Sequence, residues 1–177
     1  MSMARILGLL PVVAFAAEPA TEIEIGERLP ELRGESLAGR EVVLPQAAEG
    51  RVTLLLLGFT YKSRFAVEAW AEQFRVRFRS DARVTFYELP MIGGAARLAR
   101  WFIDRGMRRG TPEEDYEHVI TVYRDVDSWK RRVRFVEPDA AYLILLDRTG
   151  RVAWRRQGAF EDRAFQTLSR KVSDHVN

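Results

Sequence analysis

The sequence predicts an α/β fold, with a central mixed sheet flanked by helices and a strand–strand–helix unit at the carboxyl end. Three stretches carry that expectation. In 51–79, RVTLLLLGFTYKSRFAVEAWAEQFRVRFR, the apolar run 52–57 is too short for a lone helix and lies between Gly50 and Gly58. That predicts a strand buried on both faces, as in a parallel sheet. Val67, Trp70, Ala71, Phe74 and Phe78 then recur at helical spacing, with Ser63 placed to cap the first turn. The second stretch, 83–89 (RVTFYEL), is β-branched and aromatic and predicts the next parallel strand, ended by Pro90. In the third, an apolar run at 141–146 meets the turn Asp147-Arg148-Thr149-Gly150, and 151–155 returns as an antiparallel partner. Phe160, Ala164, Phe165, Leu168 and Val172 follow as one helical stripe.

Composition bounds the rest. A chain of 177 residues predicts one main domain, and 47% hydrophobic content suffices for a sizeable core. Zero cysteines exclude disulfides, thiol catalysis and thiolate metal sites. The net charge of +3 is mild, but Lys62, Lys130 and Lys171 are the only lysines among 28 basic residues. Arginine favours phosphate and carboxylate contacts. Here the arginines are spread along the whole chain among 25 acids, which suits the codon bias of a GC-rich genome better than nucleic-acid binding.

In chain order, residues 1–16 read as an export signal. Arg5 gives the positive start, an apolar run follows, and Ala14-Phe15-Ala16 fits a small-x-small cleavage site. The run is shorter than the roughly 20 residues that span a bilayer. An uncleaved anchor and a buried first strand are the alternatives. The expected organisation is therefore a signal at 1–16, an extension with a hairpin at 17–50, and the main domain at 51–177. The hairpin is marked by turn residues at Leu29-Pro30, Gly34, Gly39 and Pro45. After the second strand, Gly93-Gly94 predicts a loop. Positions 95–107 predict an amphipathic helix with Leu98, Trp101 and Phe102 on one face. Positions 111–117 predict one helical turn, 119–123 a short strand, and 125–132 a short polar helix.

Gly58-Phe59-Thr60-Tyr61 resembles the segment just before the redox cysteines of thioredoxin-like proteins, especially the Sco-type copper chaperones. The opening pattern G-x-x-L-P, S-L-x-G-x-x-V-x-L-P is similar to that of peroxiredoxin-like and Sco-like folds. The resemblance implies a thioredoxin-like fold with a C-terminal ββα unit. In those families a C-x-x-x-C follows, and the matching positions here are Lys62 and Ala66. The resemblance also implies a metal-binding histidine near the last core strand, where this chain has Val136-Glu137-Pro138-Asp139. Ala141 stands where the fold's cis-proline is expected. Redox chemistry, metal and cofactor are therefore not carried over. A second resemblance covers part of 88–165. Leu98, Trp101, Phe102, Thr111-Pro112 and Tyr116 lead to the hairpin 142–154, YLILLDRTGRVAW, followed by Gly158. This is similar to the mitochondrial ATPase assembly-factor family, the tenth such factor named in yeast. It implies a membrane-associated assembly factor or chaperone-like protein.

The candidate site is the loop at the carboxyl end of the first core strand, where open α/β sheets carry their chemistry. Tyr61, Lys62, Ser63 and Arg64 sit there, at the amino end of a helix that attracts anions. They read either as a binding loop for a carboxylate, phosphate or acidic peptide, or as an active-site loop that drifted once its cysteines were gone. Trp129, among Lys130, Arg131 and Arg132, reads as an exposed contact residue or as local packing; Trp70, Trp101 and Trp154 read as core or half-buried packing. Trp154 also distinguishes the second resemblance and, with Trp129, is a binding candidate. Glu113, Glu114, Asp115 and Glu117 read as a cation cluster or, more simply, as acids complementing a helix start. His118 and His175 are isolated.

The expectation is a non-redox binding protein, not an enzyme, without cofactor, metal or nucleic acid. It would have a protein partner, a membrane protein among the candidates, outside the inner membrane of a bacterium. The alternative is an anion- or small-molecule-binding module using the Tyr61 loop. A third reading, a cysteine-free enzyme, has no acid/base pair to name.

Overall fold

The apolar run after Gly50 forms β3 (Val52–Gly58) at the centre of a four-stranded sheet. β4 (Val84–Pro90) runs parallel to it, while β6 (Ala141–Leu146) pairs with its other edge antiparallel and β7 (Val152–Gly158) returns beside β6. The order is β4-β3-β6-β7, and Leu54 faces Leu145 across the central pair. The computed structural model describes residues 21–176, so the expected export signal lies outside the described residues.

Strand alternation divides the core in two. Leu54, Leu56, Phe86, Leu143 and Leu145 meet α1 (Ser63–Phe78) and α4 (Asp162–Val176) on one face. Trp70 is fully buried there, donates its indole N–H to the Gly158 carbonyl at 3.3 Å, and meets Phe160 edge-on with centroids 5.2 Å apart. Leu55, Leu57, Tyr87, Leu89, Tyr142 and Ile144 line the other face.

That second face is covered by the amino-terminal part of the chain. β1 (Leu32–Ser36) and β2 (Glu41–Leu44) form an antiparallel hairpin, and β1 also pairs with the two-residue β5 (Ile120–Thr121). Ile23, Leu29, Leu32 and Leu44 are buried in the core of this face, so the hairpin is a wall of the fold rather than an appendage. Gly34 marks the tightest contact, where a Cβ would lie 2.4 Å from Ile120 Cγ2 and 2.8 Å from the Thr121 carbonyl oxygen. The β6–β7 turn is tied by Asp147, whose Oδ1 accepts the backbone N–H groups of Thr149 at 2.8 Å and Arg151 at 3.0 Å. Burial pushes this carboxyl up, but these bonds outweigh it and hold Asp147 below the usual carboxylate range.

Three sequence expectations change. Strand β4 runs one residue later than expected and includes Pro90. Trp129 lies on α3 (Val126–Arg132), is 2% exposed, and packs in the second core with Val126; its basic neighbours occupy the outer face of the same short helix. It is not a surface contact residue.

The third change is larger. The helix expected at 95–107 spans 94–110, with a 3-10 stretch Gly94–Ala99 leading into α2 (Arg100–Gly110). The expected apolar face, however, points outward: Leu98, Trp101 and Phe102 are 87%, 62% and 71% exposed. Trp101 is therefore not a packing residue. The buried side chain of α2 is Asp104, held by the Tyr123 hydroxyl. Arg100 binds Glu35 and lies over the Tyr123 ring, and Arg108 donates to the Leu37 carbonyl at 2.7 Å. Polar contacts to the β1–β2 hairpin select the inward side of this helix.

Candidate functional site

The loop after β3 is built by mutual capping. The Thr60 hydroxyl oxygen accepts the Ser63 N–H at 3.1 Å, and the Ser63 hydroxyl oxygen accepts the Thr60 N–H at 3.2 Å. This is a capping box, with Thr60 as the cap and Ser63 as its reciprocal partner. Ser63 thus takes the role opposite to the one expected of it. Its own hydroxyl hydrogen goes to the Thr60 carbonyl at 2.8 Å, and the side chain is buried. Gly58 is required beneath it, since a Cβ there would meet Ser63 Oγ at 2.8 Å.

The Thr60 hydroxyl also reaches across to the Pro138 carbonyl and the Asp139 carboxylate, both at 3.1 Å. This joins the site loop to the segment entering β6. Phe59 reinforces the joint, with ring centroids 5.1 Å from Phe135 and 5.5 Å from Tyr142. The Tyr142 hydroxyl oxygen accepts the N–H groups of Val136 and Glu137, both at 2.9 Å. Hydrogen bonds and ring contacts thus tie the platform beneath the candidate site to the segment entering β6.

Tyr61 and Phe65 are displayed, 75% and 58% exposed. The Arg64 guanidinium lies over both rings, 4.5 Å from the Tyr61 centroid and 4.6 Å from that of Phe65. Such cation–π contacts favour a cation held on the ring faces. Tyr61, Lys62 and Arg64 are brought together at one surface; Ser63 lies beneath them as a structural group. Trp129 is in the second core, and Trp154 is half-buried against the first, so neither joins this surface. Phe65 was missed by the sequence reading. Its signal was an apolar residue at the helix start lying off the stripe of Val67, Trp70, Phe74 and Phe78.

Electrostatics elsewhere are structural. Glu88, on β4, faces α1, and its carboxyl is pushed up to about 7 by burial and by the nearby Glu68 and Asp115, against the pull of Arg75. Arg75 bridges Glu72 and Asp115, and Glu117 pairs with Arg40, so these acids of the 113–117 segment are matched by arginines. Among the described residues, no group of three or more His, Cys, Asp or Glu side chains is placed to hold a metal ion. His118 stacks on Phe86 with centroids 4.7 Å apart, and its Nδ1 lies 3.0 Å from the Phe86 carbonyl oxygen. A cavity of about 350 Å³ lies between Ile23, Arg132, Arg134, Tyr142 and Arg155. Glu22 pairs with both Arg134 and Arg155 at its rim, so much of its positive charge is already answered.

A parallel β3–β4 pair, an antiparallel β6–β7 hairpin, a closing helix and a loop at the carboxyl end of β3 make up a thioredoxin-like fold, here in a chain without any cysteine. No protein-family model matches the chain, and no curated protein matches it. Solved structures do. The chain is similar to the thioredoxin domain of a thiol-disulfide oxidoreductase from Bacteroides vulgatus, at 19% identity and a TM-score of 0.58, over 85% of this chain and 99% of that one. It is similar to a peroxiredoxin-like protein from Aquifex aeolicus, at 14% identity and a TM-score of 0.59, over 86% and 90%. It is also similar to BsSco, of the Sco family of cytochrome c oxidase assembly proteins, at 9% identity and a TM-score of 0.60, over 89% and 99%. At these identities the likeness establishes the fold.

Proposed function

We propose that this protein works by binding another protein, as an assembly factor or chaperone-like protein for a membrane or envelope protein complex, and that it carries out no turnover. The observation behind this reading is the exposed pair Tyr61 and Phe65, displayed by a hydrogen-bonded loop where the fold ordinarily places its cysteines. Burying one such ring against a partner stabilises by roughly 1.5–3 kcal/mol, and aromatic residues with arginine are enriched at interface cores. Val136, 67% exposed, lies two residues before Pro138, which Thr60 ties to the same loop.

Two likenesses support the assembly role. BsSco is described as belonging to a family of assembly proteins. The 142–154 hairpin resembles the ATPase assembly factors in sequence, and their clients are membrane proteins. Export to the periplasmic side, expected from residues 1–16, would place this chain beside such clients.

Anion binding at the amino end of α1 is the weaker reading. The Ser63 N–H is already taken by Thr60, and the Arg64 guanidinium is parked on two rings. A photo-crosslinking residue in place of Phe65 tests the proposal in cells. A discrete adduct with a membrane or envelope protein, lost with Tyr61→Ser, is expected. No adduct, together with small-anion binding abolished by reversing Lys62 and Arg64, would favour the alternative.

A further inference from the structure

The outward face of α2, together with the 3-10 turn that leads into it, remains unexplained by the site after β3. Leu98, Trp101 and Phe102 form an exposed ridge, not a groove. Arginines sit among them. Arg105 lies over the Trp101 ring at 5.2 Å, and Arg109 is exposed with no ion pair among the described residues. The one acid of α2, Asp104, is turned inward and bound by Tyr123 and Arg100. The exposed side of the helix therefore combines apolar rings with positive charge and displays none of the helix's negative charge.

We infer that α2 docks on an anionic lipid surface, with Leu98, Trp101 and Phe102 entering the headgroup boundary and Arg105 and Arg109 facing lipid phosphates. Short helices that lie in a membrane interface have this composition: arginine-rich, low in overall hydrophobicity, with Trp, Phe and Leu on the inserted side. Tryptophan suits that depth because its ring is apolar and its N–H is polar. Charge complementarity chooses among occupants. A second copy docked face to face would set Arg105 and Arg109 against their own counterparts. A bilayer with anionic headgroups answers both arginines at once, each worth about a fivefold gain in partitioning. Among the described residues no helix is long and apolar enough to cross a membrane, so this contact is one of lying on the surface. The inference does not depend on what the Tyr61 loop binds.

The cysteine-free chain allows a local test. Phe102→Cys in the full chain can carry a single nitroxide label, with Gln166→Cys, exposed on α4, as the control. Vesicles of phosphatidylcholine, with and without phosphatidylglycerol, are the probes. On the phosphatidylglycerol vesicles the label at position 102 is expected to gain exposure to oxygen and lose exposure to a polar relaxant, while that at 166 does not change. Arg105→Glu with Arg109→Glu should reduce this partitioning at least tenfold, and added salt should weaken it. A label at 102 that stays water-exposed while the chain is vesicle-bound would overturn the inference, since another segment would then be holding it. So would immersion equal on neutral and anionic vesicles, or a face that ignores vesicles and is buried only by a protein.

Discussion

The Tyr123 hydroxyl donates to the Asp104 carboxylate at 2.7 Å, and this buried contact decides which way α2 faces. Asp104 is 8% exposed, and turning the helix to bury Trp101 and Phe102 would pull its carboxylate away from its partners. Burial and the Asp104 bond together raise the Tyr123 hydroxyl above its ordinary pKa, so it stays a donor through the physiological range. Tyr123→Phe removes the donor and leaves Asp104 with Arg100 alone, at 3.5 Å. The expected loss is about 1.5–3 kcal/mol, read as a lower denaturant midpoint with unchanged slope. A midpoint equal to wild type would show that the contact does not hold α2.

Glu88 predicts a pH dependence. Its folded pKa, about 7, lies above the 4.5 of an unburied glutamate. The folded state therefore holds the proton more tightly than the unfolded chain does. The associated stability is fully present below about pH 4.5 and is lost as pH rises through 7, by roughly 3 kcal/mol in all. Glu88→Gln keeps the shape without the charge. Its stability should match wild type near pH 5 and exceed it by that margin near pH 8. Parallel stability curves would place the Glu88 carboxylate in water.

The inner strands β3 and β6 of the central sheet were legible because they are buried on both faces. A run such as Leu54 to Leu57 has no use except between two layers, and the pairing of Leu145 with Trp154 follows from the hairpin signal at Asp147. The direction of a helix was not legible. Leu98, Trp101 and Phe102 have core spacing, and spacing alone does not say whether a stripe faces in or out. What overrides it is a set of long-range polar contacts, Glu35 with Arg100 and Asp104 with Tyr123, between residues far apart in sequence. Trp129 stayed open between surface contact and packing for the opposite reason. Its charged neighbours describe the outer face of a short helix whose inner face carries the ring into the core. At the candidate site the sequence located the loop but could not assign Thr60 as the cap, because Thr60 and Ser63 are both competent cap residues.

Gly34 predicts a steric limit between the amino-terminal hairpin and the rest of the fold. Its backbone φ is not of the left-handed kind, so the requirement is one of space. Gly34→Ala sets a methyl against Ile120 and the Thr121 backbone, and the backbone of a paired strand cannot give way as a flexible side chain can. Overpacking of this kind costs typically 1–3 kcal/mol. Amide exchange should rise first in 32–44 and 120–121, ahead of β3 and β6. Uniform protection across both sheets in the variant would mean that the hairpin adjusts without loss.

The capping box predicts that Thr60 and Ser63 behave as one unit. Thr60→Val removes the acceptor for the Ser63 N–H and cuts the ties to Pro138 and Asp139, and it should cost about 1–2 kcal/mol. Ser63→Ala removes a buried hydroxyl that both accepts from and donates to Thr60, with a similar expected loss of about 1 kcal/mol. The two sets of bonds are distinct but hold the same turn, so losing either set loosens the geometry that the other needs, and the double variant should lose clearly less than the sum, by at least about 0.5 kcal/mol. Partner capture separates this scaffold from the surface it presents. Thr60→Val frees the loop from the β6 side and should weaken capture through Tyr61 and Phe65, whereas Lys62→Ala should leave both fold and capture intact. Strict additivity in the cycle would mean that the two hydroxyls act independently, and the loop would then not be the preorganised platform described for it.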